Sequence, residues 1–148
     1  MHNLPILDTK QVSEMFSIPM RTIKYYTELQ IVELVDQHPG IGNTRRYSIY
    51  NVMSVLLAWH LDNLGVSPPA IAKKAEQLNY GIARFLEDSK TASHLMSLWL
   101  MSDLKVKVSW HTSTTFTHPA SILMDLKMLH EDVMNALKNE SEYLCQMK

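Results

Sequence analysis

The stretch Ile18-Pro19-Met20-Arg21-Thr22-Ile23-Lys24-Tyr25-Tyr26 constrains this chain more than any other. Proline suits a first helical position, where its missing N–H costs nothing and its fixed φ already fits the helix. Helical spacing then puts Met20, Ile23 and Thr27 on one face and Arg21, Lys24 and Tyr25 together on the opposite one. An arginine and a lysine one turn apart can reach the edges of guanine, and a tyrosine hydroxyl can donate to a phosphate oxygen. The segment reads as a helix that recognises DNA. On these residues alone the alternative is a solvated face with ordinary charges.

The flanks fit that reading. Asp8 or Thr9 can cap a preceding helix through Val12, Met15 and Phe16, with Gln11 placed to complete a capping box after Asp8. Ser17-Ile18-Pro19 breaks it, so two helices meet across a tight turn, the second ending near Leu29 and Gln30. Ile31-Val32-Glu33-Leu34-Val35 is then rich in branched residues, Pro39-Gly40-Ile41-Gly42-Asn43 is turn chemistry, and Arg45-Arg46-Tyr47 resumes an extended run. This predicts a hairpin, or wing, whose adjacent arginines suit phosphate contacts; a charged strand that blunts a sheet edge is the alternative. Ser48 can cap a third helix carrying Val52, Val55, Leu56 and Trp59 on one face. Gly65 ends it, and Ser67-Pro68-Pro69 opens a fourth helix through Ile71, Ala75 and Leu78.

Bulk composition narrows the partners. The chain has 148 residues, 46% hydrophobic, enough for one compact core or a small domain with an extended helix. A net charge of −1 supplies no global basic field, so contact with nucleic acid must come from a local patch such as Arg21 with Lys24 and Arg45 with Arg46. One cysteine, Cys145, excludes an internal disulfide framework and any multi-thiolate metal site within one chain. No apolar run reaches membrane-spanning length, and the expectation is a cytoplasmic protein with no membrane contact.

With these landmarks in order, residues 8–75 resemble the DNA-binding domain of the MerR family of bacterial transcription regulators. The resemblance is carried by Arg21-Thr22-Ile23-Lys24-Tyr25-Tyr26, by Arg46-Tyr47-Ser48 leaving the wing, and by Leu64-Gly65-Val66-Ser67 with Ile71. It implies a winged helix-turn-helix whose contacts to double-stranded DNA come from Arg21, Thr22, Lys24, Tyr25, Tyr26, Arg45, Arg46 and Tyr47. It also implies a homodimer joined by a long antiparallel helix pair, with RNA polymerase at a promoter as a further partner. The chain departs from the family's pattern at Lys24, where arginine is usual, Thr27 for glutamate, Gln30 for glycine and Asn51 for aspartate.

The second half is less regular. Ile82, Phe85 and Leu86 extend helical character, Ala92 to Met101 is apolar nearly all round, and Val106, Val108 and Trp110 alternate with polar residues. Residues 105–117 are expected to be extended, against a continuous helix through Trp110. From Pro119, Ile122, Leu126, Leu129, Val133, Ala136, Tyr143 and Met147 recur at alternating steps of four and three, broken only by Glu140 and widened by Leu123, Leu137 and Leu144. That stripe suits either the chain's own middle segment or a second copy. Trp99, Trp110 and Phe116 are candidates to line a pocket for a small-molecule effector, with core packing as the alternative. His94, His111, His118 and His130 match no strong metal-ligand spacing, so neither metal nor cofactor is expected.

The resulting expectation is a mainly α chain with a winged helix-turn-helix DNA-binding domain at 5–79. A linking or effector region at 80–118 with room for a short extended segment follows, then a dimerisation helix at 119–148 bearing Ile122, Leu126, Leu129, Val133, Leu137 and Leu144. The function expected is a homodimeric, effector-responsive regulator on a palindromic operator. An architectural or excisionase-like DNA-bending protein with no ligand is the rival. No catalytic constellation stands out, and an enzyme is not expected.

Overall fold

A computed structural model describes residues 7–34, 45–88, 95–100, 106–111 and 122–146. The chain is mainly helical with small antiparallel sheets. It opens with a two-residue strand, β1 (Leu7–Asp8), followed by α1 (Thr9–Phe16) and α2 (Met20–Glu28). Asp8 and Gln11 form the expected reciprocal capping box, at 2.8 and 2.9 Å. Ser17 takes the left-handed conformation at the end of α1, with φ 53°, and Ile18 N–H returns to the Ser13 carbonyl at 3.2 Å. Pro19 caps α2 instead of occupying its first turn.

The exit from α2 differs from the expected hairpin. Gln30 sits at φ 60° and completes a Schellman closure, with Gln30 N–H to the Thr27 carbonyl and Ile31 N–H to the Tyr26 carbonyl, each at 3.0 Å. Ile31 and Val32 are then buried in the core and form no strand over 31–34. β2 (Arg46–Tyr47) is extended as expected but pairs antiparallel with β1, Leu7 opposite Tyr47 and Asp8 opposite Arg46. The turn Pro39–Asn43 lies outside the described residues.

The core is built around α3 (Ile49–Asn63), started by a Ser48–Asn51 capping box and ended by Gly65 at φ 95°. Val52, Met53, Val55, Leu56, Leu57, Ala58 and Leu61 are all buried on it, each large side chain contributing about 1.5–3 kcal/mol. The fourth helix divides at the lysine pair Lys73-Lys74 into α4 (Pro68–Ala72) and α5 (Ala75–Glu87).

Beyond α5 the apolar stretch forms a strand, β3 (Leu95–Leu100), at the centre of a sheet between β4 (Val106–His111) and β5 (Ile122–Asp125), both antiparallel to it. The expectation that 105–117 is extended holds over β4; residues 105 and 112–117 lie outside the described residues. The last helix, α6 (Leu126–Gln146), begins after β5, so Ile122 belongs to a strand, opposite Leu98, and not to a helical stripe. Leu126, Leu129 and Val133 are buried in the chain's own core, where α6 packs on α3 and α1. The first half of the expected dimer stripe is therefore consumed within one chain. Leu137 is partly buried against the same cluster, and the Leu144 side chain lies outside the described set. One buried cluster runs from Leu7 to Val133, and position 79–80, the expected domain boundary, falls inside α5. No helix among the described residues is long and apolar enough to cross a membrane.

Candidate nucleic-acid interface

α2 is held to the body by two side chains of its inner face. Ile23 and Tyr26 are fully buried, and the Tyr26 hydroxyl donates to the Asp62 carboxylate on α3 at 2.8 Å. Burial first, and then the Asp62 carboxylate, hold the Tyr26 hydroxyl well above the ordinary tyrosine range, in its neutral donating form. Tyr47 is likewise buried beneath α2, its hydroxyl 3.4 Å from Thr27 Oγ1. Neither Tyr26 nor Tyr47 can reach DNA from these positions, which corrects the expectation for both. The two residues brace the helix that carries the contacts.

The outer face keeps the remaining candidates together. Arg21 and Lys24 are exposed, Tyr25 is 43% exposed, Thr22 is half-buried at the margin, and Arg46 is exposed on β2. Among the described residues no carboxylate lies within ion-pairing distance of Arg21, Lys24 or Arg46; the exposed pair Lys10–Glu14, at 3.7 Å, is on α1. Met20, expected on the buried face, is 45% exposed and stands one turn from Lys24. The buried direction of α2 is set by Ile23 with Tyr26, three residues on, which turns Met20 outward.

A groove of about 460 Å³ runs beside this face, lined by Asp8, Thr9, Lys10, Met20, Lys24, Glu28 and Arg45. Arg45 is half-buried at its wall, and its Nη1 is buried without a hydrogen-bond partner among the described residues. Glu28, in the last turn of α2, places a carboxylate at the far end of the face. The first two turns of α2 are thus cationic and apolar, and its last turn is acidic.

The chain leaving α2 is fixed by polar groups of which the sequence pointed only to Asn51, as a departure from the pattern it resembles. Asn79 on α5 donates to the Ile31 carbonyl at 3.0 Å while accepting from Ser54 Oγ at 2.8 Å. Asn51 on α3 donates its side-chain amide to the Glu33 carbonyl. All three side chains are buried. An aspartate at position 51 would have no donor for that carbonyl, which gives the departure at Asn51 a local reason. The available signal was polar residues set inside otherwise apolar helical stretches.

Of the expected effector cluster, only the Trp110 side chain lies among the described residues. The Trp110 ring occupies the space that Gly81 leaves open on α5 and packs, partly buried, against the core. The Trp99 side chain and Phe116 lie outside the described set, as do His94 and His118. His130 meets Phe85 edge-on, with ring centroids 5.8 Å apart. Among the described residues no group of three or more histidine, cysteine or acidic side chains could hold a metal ion. Comparison with protein-family models finds no match, and comparison with curated proteins finds none either.

Proposed function

We propose that the protein is a sequence-specific DNA-binding transcription regulator of the MerR type. It acts as a homodimer on a palindromic operator and responds to an effector, with RNA polymerase as a further partner at a promoter. One observation carries the reading: Arg21, Lys24 and Tyr25 share an exposed face, without acidic partners among the described residues, on a helix whose other face is locked into the core. Two short helices across a three-residue turn are the frame in which the second helix enters a major groove. The acidic last turn at Glu28 would be repelled by phosphates, so the first two turns are the part that enters. Arg46 and the half-buried Arg45 then meet the flanking backbone from the side of β2. Because Leu126, Leu129 and Val133 are buried at home, a second copy has to meet other surfaces.

The test compares two alanine variants. Arg21→Ala should cost about 1–3 kcal/mol on the preferred duplex and relax preference there, whereas Arg46→Ala should weaken all duplexes alike and lower the salt slope by about one. Equal, sequence-independent losses from both would refute base reading by α2.

A further inference from the structure

Met20 is a large apolar side chain that the fold leaves outside. It is 45% exposed at the first position of α2, directly before Arg21 and one turn from Lys24, on the wall of the groove beside the cationic face. Nothing in the core takes it up: the inner face of α2 is filled by Ile23 and Tyr26. Resting on the DNA-binding reading above, we infer that Met20 is a specificity-determining residue that packs against the 5-methyl group of a thymine in each half-site.

The argument is one of position and chemistry. In a helix lying in a major groove, the N-terminal residues meet base edges. The major-groove edge of a base pair offers hydrogen-bond donors, acceptors and one apolar group, the thymine methyl. Arg21 and Lys24 can only donate, so they favour guanine. Met20 has no strong donor or acceptor and an unbranched, polarizable thioether that adapts to a small apolar contact. Set beside these two cations, on the groove wall it shares with Lys24, it answers the one feature of the groove that they cannot read. The half-site would then pair a guanine with a neighbouring thymine.

The full-length chain is first used to enrich half-sites from a pool of random duplexes. Each thymine of the enriched site is then replaced singly by uracil, which removes the methyl and nothing else, and binding is followed by anisotropy. One replacement should weaken wild-type binding about four-fold, the value of one buried methyl-sized group. Met20→Ala should lose about the same factor on the thymine duplex and bind thymine and uracil duplexes equally. Met20→Leu, which keeps an apolar side chain, should retain the difference. An enriched site with no methyl-sensitive thymine, or a Met20→Ala protein that still distinguishes thymine from uracil, overturns the inference while leaving DNA recognition intact. A chain that enriches no site overturns the DNA-binding reading itself and this inference with it.

Discussion

Tyr25 and Tyr26 are chemically identical neighbours with opposite fates, and the difference is a rotation of about 100° per residue along the helix. Tyr26 falls inward and Tyr25 outward because the buried line of α2 runs through Ile23 and Tyr26. Tyr26→Phe keeps the ring but leaves the Asp62 carboxylate without its donor, and should destabilise the fold by about 1–3 kcal/mol in denaturant titration. Its folded-state hydroxyl is raised above the ordinary value of 10.0, so above that pH the unfolded chain loses a proton that the folded chain keeps. Stability from Tyr26 is therefore fully present below about pH 10 and lost as pH rises further. Wild type should lose Tm more steeply than Tyr26→Phe across that alkaline range; parallel curves would contradict the assignment. Gln30 offers the opposite sign. It holds a left-handed conformation at φ 60°, which costs a non-glycine residue roughly 1–2 kcal/mol, so Gln30→Gly should raise stability by up to about 1 kcal/mol. The capping residues Asp8 and Ser48 were legible in the sequence because a cap depends on spacing within four residues. The inward tyrosine was not, because Met20-Ile23-Thr27 and Ile23-Tyr26 are both acceptable helical stripes and only the partner on α3 decides between them.

Elements were legible where local chemistry decides them and obscure where distant pairing does. The α1–α2 break at Ser17-Ile18-Pro19 and the end of α3 at Gly65 follow from turn chemistry close at hand. Leu95–Leu100 is apolar but for Ser97, and a short apolar run suits strand and buried helix alike; its antiparallel partners at Val106–His111 and Ile122–Asp125 settle the matter. Ile122 joins the helical repeat in sequence yet lies in β5, paired opposite Leu98. Ile31 and Val32 have strand-forming side chains, but burial and the Asn79 bond to the Ile31 carbonyl hold them in the core. The contact between α5 and β4 gives a test with a change of sign. A methyl at position 81 would overlap the Trp110 ring, so Gly81→Ala should destabilise by about 1–3 kcal/mol. In a Trp110→Ala background the same change should instead stabilise by about 1 kcal/mol through helix propensity. A loss of equal size in both backgrounds would show that the ring is not what the glycine accommodates.

For the molecule as a whole, the decisive feature is that one core joins both halves of the chain. Leu126, Leu129 and Val133 lie in the same buried cluster as Val12 and Leu57, so α6 stabilises the part that carries the outward face of α2. A chain ending at residue 119 should therefore lose cooperative unfolding and bind an apolar dye, and a well-folded monomer from that truncation would contradict the shared core. The cationic face itself, a local patch on a chain of net charge −1, was readable from Arg21, Lys24 and Arg46. The hold of Asn51 and Asn79 on the chain leaving α2 depends on the Glu33 and Ile31 carbonyls, far away in sequence, and was not. The measurement that tests the central claim most directly is fluorescence anisotropy of the full chain on its own upstream region and on a scrambled duplex of equal length, at two salt concentrations. The account requires tighter binding to the upstream duplex, weakening steeply with salt as phosphate contacts are released. Binding of both duplexes with equal affinity, or of neither, would contradict it.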